Sequence, residues 1–258
     1  MATPRRNWTR AETLVAFNVY CRTPFGRLHA RNAEIIKVAN ALGRTANAVA
    51  MKCCNLAAFD SELRERGIVG LSKTSRLDEE VWQEFESDPE SVSFEAEIAY
   101  AGAMSQPLRS TDNVEWEDVQ GLDKEVVTRV RVNQHFFRSV ILAGYQSRCA
   151  VCALPFPSLL VAAHIVPWSV DKAQRMNPRN GICLCSLHDR SFDRGLMSIN
   201  RDYTIDLDPS ILSDHDLPSV QANFIRFQGC TVSMPDRWYP DPDLLDRHTQ
   251  LVQSPSTL

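Results

Sequence analysis

The 258-residue chain is 44% hydrophobic and 23% charged, with 28 Lys and Arg against 32 Asp and Glu and a net charge of −4. That length supports one large domain or two small ones with real cores, and 10 Gly, 14 Pro and an ordinary charged fraction exclude a collagen, a coiled-coil rod and wholesale disorder. No apolar run approaches the roughly 20 residues of a membrane span, and the start, Met1 to Trp8, lacks the apolar core of a secretory signal, so a cytoplasmic location without a membrane partner is expected.

In chain order, Thr9-Arg-Ala-Glu12 has the form of a capping box and predicts a helix to about Cys21, broken by Pro24 and Gly26. A second helix is predicted from Asn32 to Leu42, ended by Gly43, and a third from Ala46 to about Ala58, capped by Thr45. Helix, short turn, helix is the outline of a helix-turn-helix unit, in which Arg44, Asn47 and Lys52 are candidate DNA contacts; a small helical bundle serving assembly is the alternative. One more amphipathic helix is expected within 77–97, with Val81, Trp82, Phe85 and Phe94. Gly102 to Asn113 is the best linker. A helix resumes from about Val126 to Ala143; strands are predicted at Leu159–Ala163 and Gly181–Cys185, and a short helix from Leu187 to Arg194 ends at Gly195. Beyond 200 the chain is rich in Pro and Asp, and Asp206, Asp208 and Asp214 read as solvated turns.

Charge is segregated along this order. Residues 1–52 balance at +7, 78–125 at −13, 126–201 at +7 and 202–258 at −6. Two basic blocks around an acidic one suggest two polyanion-facing modules, or ordinary solvated faces. The expected organisation is a helical domain over 1–100, an acidic linker over 101–125 and a second domain over 126–258.

Eight cysteines in a cytosolic chain argue against a disulfide framework. Cys21, Cys53, Cys54 and Cys230 read as inert thiols, whereas Cys149-x2-Cys152 and Cys183-x-Cys185 are grouped. A structural zinc takes four tetrahedral N or S ligands. Cys149, Cys152 and Cys185 supply three, and the fourth is either His188, at good knuckle spacing from Cys185, or Cys183, on the same face of its strand. Around these cysteines stand Ala163-His-Ile-Val-Pro-Trp168, then Asn177-Pro-Arg-Asn-Gly181, then Leu187-His-Asp-Arg-Ser-Phe-Asp-Arg-Gly195. A strand-borne His164 followed by Asn180, His188, Asp189 and Asp193 provides the groups phosphodiester hydrolysis needs: a base for water and ligands for a divalent ion.

Residues 129–199 closely resemble the HNH endonuclease superfamily, through Arg131-Val-Asn-Gln134, Phe137-Arg138, the cysteine knuckle, Ala-His-Ile-Val-Pro-Trp, Asn-Gly-Ile-Cys-Leu-Cys and His-Asp-x2-Phe-Asp-Arg-Gly. Residues 7–80 more loosely resemble the N-terminal domain that some restriction-type members carry. The resemblance implies an α+β protein: an all-α, helix-turn-helix-like domain followed by a ββα-metal domain with a zinc knuckle. It further implies metal-dependent cleavage of DNA, with His164 as general base, Asn180 ordering the loop that aims it, and His188, Asp189 and Asp193 around a catalytic Mg²⁺ or Mn²⁺. Many members place the last His nine residues after the Asn, which here is Asp189, and have an Asp where this chain has Ala163. Arg138, Arg179, Arg190 and Arg194 are the candidate phosphate contacts of this domain.

The expected function is an HNH endonuclease in restriction or defence against foreign DNA, with DNA as partner, Zn²⁺ as a structural ion, and a homodimer as the means to cut both strands. The alternatives are a catalytically silenced nucleic-acid-binding module, or an anti-phage effector nuclease switched by a partner or ligand. In the effector, the acidic segment 78–125 would occupy the basic cleft as a DNA mimic.

Overall fold

The computed structural model describes residues 6–67, 74–111 and 123–253. They divide into two compact units, Met1–Val140 and Ile141–Leu258. Among the described residues no helix is long and apolar enough to cross a membrane.

The first unit is helical: α1 (Arg10–Arg22), α2 (Ala33–Ala41), α3 (Ala46–Ala57), α4 (Ser61–Glu65), α5 (Arg76–Ser87), α6 (Pro89–Met104) and most of α7 (Lys124–Gly144). Local chemistry starts each of the early helices. Thr9 and Glu12 form the reciprocal capping box of α1, with Glu12 N–H on Thr9 Oγ1 at 3.2 Å and Thr9 N–H on Glu12 Oε2 at 3.0 Å. Asn32 caps α2 and Thr45 caps α3, and Gly43 turns the chain between them at φ +60°. A core of Phe17, Tyr20, Trp82 and Phe85 joins α1 to α5.

Where one helix is expected within 77–97 there are two. Asp88 ends α5, caps the backbone of Ser91 at 3.0 Å, and places Pro89 in the first turn of α6, where a missing N–H is harmless. The expected linker therefore begins inside α6, and its residues 112–122 lie outside the described residues.

Two of the expected DNA contacts in this unit face inward. Lys52 is 2% exposed and ion-paired with Asp78, which is fully buried. Arg44 bridges to Glu12 Oε2 at 2.8 Å and stacks over Trp8. A helix-turn-helix contacts phosphate with exposed cations, and these two are engaged in holding the helices together. Asn47 is exposed on α3. The acidic helices complete the pattern: Arg10 meets Glu84 and Glu95 at 2.6 and 2.8 Å, and Arg22 meets the buried Glu97 at 3.1 Å.

The second unit contains an antiparallel pair, β1 (Leu160–His164) and β2 (Gly181–Cys185), with His164 opposite Gly181 and Leu160 opposite Cys185. The helix α8 (Ser186–Asp193) follows β2 directly and packs on both strands, giving the ββα outline. A hairpin of β3 (Met197–Ile199) and β4 (Ile205–Leu207) comes next, then α9 (Pro209–Ser213), α10 (Pro218–Asn223) and α11 (Pro242–Gln253). The expectation of turns beyond 200 changes accordingly. Asp206 lies on β4, opposite Ser198, and Asp208 caps α9.

Candidate active site and zinc knuckle

β2 delivers Cys185 to the N-cap position of α8, and three residues later His188 lies in the first turn. N-cap and third-position side chains meet at a helix start, the geometry that capping boxes exploit, so Cys185 Sγ lies 3.1 Å from His188 Nδ1. The knuckle brings the other two donors. Cys149 turns to Cys152 with Ala153 left-handed at φ +58°, Cys149 N–H bonds the Leu154 carbonyl at 3.1 Å, and Ala150 N–H ties the turn to the Cys183 carbonyl at 2.7 Å. Cys149 Sγ then lies 3.6 Å from His188 Nδ1, Cys152 Sγ lies 4.0 Å from Cys185 Sγ, and all four donor atoms fall within 4.8 Å of one another.

These separations suit zinc, whose Zn–S of about 2.3 Å and Zn–N of about 2.0 Å imply donor separations of about 3.5–3.8 Å in a tetrahedron. His188 Nε2–H donates to the Asn223 carbonyl at 2.8 Å, which fixes the tautomer with the Nδ1 lone pair facing the thiols. Phe224 and Phe227 present their rings edge-on to the imidazole at 5.9 and 5.7 Å and shield it. The hydrogen bond shared with Cys149, reinforced by His188, holds the Cys185 thiol down, and the same bond pushes Cys149 up. A dication at the centre favours thiolate throughout.

This geometry decides between the two expected zinc sets. Cys183 is buried on β2 outside the cluster. One ring nitrogen of His188 faces the cysteines and the other is bonded to the Asn223 carbonyl. Asp189 and Asp193 remain one turn apart on α8. Among the described residues the zinc cluster is the single group of three or more closely spaced His, Cys or carboxylate donors.

His164 stands at the end of β1, where the strand gives way to the loop 165–180. Its Nε2–H donates to the Arg175 carbonyl at 3.0 Å, so the lone pair is on Nδ1. Burial pushes this imidazole down to about 4, leaving it neutral in neutral solution. The loop is held by Asn180, which is fully buried: its Oδ1 accepts from Val166 N–H at 2.8 Å, and its Nδ2 donates to the carbonyls of Val166 and Gln174 at 3.0 and 3.2 Å. Within the loop, Arg175 Nε donates to the Trp168 carbonyl at 3.0 Å and its guanidinium lies 5.0 Å over the Trp168 ring, which meets His164 edge-on at 5.5 Å. The sequence places Trp168 in the His164 motif and Arg175 among the nearby arginines, but gives no sign of the contacts between them and His164.

Arg190 is exposed on α8 and Arg194 is exposed just beyond its end, four residues apart on one side. Arg179 is half-buried in the turn before β2, and Arg138 is half-buried on α7 in the first unit.

Residues 149–200 match the family described as HNH endonuclease. β1, β2, α8, His164, Asn180 and the four-donor cluster all fall within that matched segment. No curated protein matches the chain.

Proposed function

We propose that this chain is a metal-dependent DNA endonuclease of the HNH type that acts in restriction or defence against foreign DNA. The observation that carries the reading is the bond from His164 Nε2–H to the Arg175 carbonyl inside the HNH segment, in a loop clamped by Asn180. It presents a neutral imidazole, already in the tautomer that accepts a proton at Nδ1. A general base has to be both deprotonated and aimed.

In this mechanism His164 Nδ1 takes a proton from the water that attacks phosphorus. The imidazolium so formed is stabilised by its Nε2–H bond to the Arg175 carbonyl. Asn180 acts as a positioning residue, because it fixes Gln174, the neighbour of that carbonyl. A bound Mg²⁺ or Mn²⁺ supplies charge stabilisation at the phosphoryl and leaving oxygens. Asp189 and Asp193, one turn apart on α8, would hold such an ion with the hard oxygen ligands it takes. Arg190 and Arg194, with Arg179, meet the DNA backbone. Zn²⁺ at Cys149, Cys152, Cys185 and His188 holds the knuckle against α8 and takes no part in hydrolysis. A homodimer would place one site on each strand.

The test is cleavage of supercoiled plasmid, modified and unmodified, by wild type and His164→Ala with Mg²⁺, Mn²⁺ or EDTA. Metal-dependent products that vanish in the variant are expected. Cleavage retained by His164→Ala would overturn the assignment, and absence of cleavage with intact DNA binding would favour a silenced module.

A further inference from the structure

α11 lies outside the HNH segment, yet it touches the loop that aims His164 near both ends. Arg247 Nη1 donates to Asp171 Oδ2 at 2.6 Å, and Asp171 Oδ1 accepts from Ala173 N–H at 3.0 Å. Asp171 thereby caps the 3-10 turn Lys172–Gln174, which leads straight into Arg175 and the carbonyl bonded to His164. At the far end of the loop, Asp241 N–H donates to the Arg179 carbonyl at 3.0 Å, one residue before Asn180, while the Asp241 carbonyl accepts from Leu245 N–H at 3.1 Å in the first turn of α11. The same helix is anchored to the rest of the unit. His248 stacks flat on Phe192 of α8, at 3.7 Å between centroids and 4° between planes, and a Cβ added at Gly195 would meet Val252 at 3.1 Å.

We propose that α11 is a brace that aims His164, with Arg247 as a positioning residue acting through Asp171 and the Arg175 carbonyl. The proposal rests on the reading of His164 as the general base. Its physical basis is that the loop 165–180 has no strand ladder along its length, so the position of the Arg175 carbonyl depends on side-chain ties. Asn180 ties it from the core side at Gln174, and Arg247 ties it from the α11 side at Asp171. Both members of the Arg247–Asp171 pair are partly exposed, so the pair adds little to global stability. Its consequence lies in geometry, where small displacements of a reacting group are costly to rate.

The experiment uses the full chain with zinc bound and compares wild type with Arg247→Gln, Arg247→Lys, Asp171→Asn and the Arg247→Gln/Asp171→Asn double variant. Asp171→Asn keeps an oxygen for Ala173 N–H and loses the charge alone, so it serves where Arg247→Gln fails to fold. The readouts are the His164 ring titration by NMR, single-turnover plasmid cleavage with Mn²⁺, and zinc content. Arg247→Gln and Asp171→Asn are each expected to slow cleavage about tenfold with zinc retained, and to move the His164 titration further down, because the Arg175 carbonyl that favours the protonated ring is no longer held in place. Arg247→Lys should stay within about twofold of wild type, and the double variant should be no slower than either single, as coupled partners require. An unchanged His164 titration in both single variants, or additive losses in the double, overturns the brace. Wild-type cleavage by His164→Ala overturns instead the base assignment, while the ring titration still decides whether α11 holds that imidazole.

Discussion

The two basic blocks of this chain carry the same net charge, +7, and do different things. In the first unit the cations meet carboxylates of their own unit: Lys52 with Asp78, Arg44 with Glu12, Arg22 with Glu97, and Arg10 with Glu84 and Glu95. Four of these five pairings reach into α5 and α6, the described part of the acidic block. Asp78, Glu84, Glu95 and Glu97 are thereby paired within their own unit. In the second unit Lys172, Arg190 and Arg194 are exposed. A run of like charge along a sequence therefore reports composition, and folding decides whether it becomes an ion-paired core edge or an exposed cationic surface.

The largest expected effect sharpens the contrast by silencing one unit without disturbing the other. His164→Ala should lower plasmid cleavage by at least about 10²–10⁴-fold, the usual contribution of a positioned base, with zinc content and the unfolding of the first unit unchanged. Next, Cys185→Ala, or chelation of the wild type, should release zinc and loosen the knuckle against α8. Metal analysis alongside near-ultraviolet circular dichroism would check this, and intact packing of the second unit after zinc loss would overturn the structural role.

Third, Lys52→Ala leaves Asp78 buried without its partner and should cost about 3–5 kcal/mol of stability, whereas Arg190→Ala should change stability by less than about 0.5 kcal/mol. Denaturant melts separate them. DNA binding should rank the other way, with Arg190→Ala and Arg194→Ala each weakening it and reducing its salt dependence by about one counterion. A binding loss from Lys52→Ala with no loss of stability would break the comparison.

A further effect is that of pH. His164 and His248 are both held down to about 4 by burial, while in the unfolded chain each titrates near the ordinary 6.5. Between those values the unfolded state binds more protons, so these residues make the second unit less stable as pH falls from about 6.5 to about 4 and make no further difference above that window. His164→Gln should flatten the dependence in part. Thermal melts across this range check the sign.

The local elements were legible because their causes are local. Thr9 and Glu12, Asn32, Thr45 and Gly43 start and stop helices through contacts within a few residues, and the strands and α8 of the second unit fall within a residue of their expected bounds. The Asp88-Pro89 break was also written in the sequence, as a cap followed by a first-turn proline, but the apolar residues on either side read as one periodic run. Spacing left His188 and Cys183 both open as the fourth donor, and only the folded structure groups His188 with Cys149, Cys152 and Cys185.

What the sequence determined by itself was the set of chemical groups and the short elements that carry them: a ββα unit, a cysteine knuckle, and His164 and Asn180 at its loop. Tertiary structure alone decided how those groups are used. Lys52 and Arg44 turn inward because Asp78 and Glu12 reach them from 26 and 32 residues away. His188 is committed to the cysteines because the Asn223 carbonyl, 35 residues on, takes its other nitrogen. Arg247 reaches Asp171 across 76 residues, in a stretch whose sequence reads only as turns. Capping, periodicity and strand alternation act over one or two turns of chain, whereas pairing, tautomer and loop position depend on partners that only folding brings within hydrogen-bond reach.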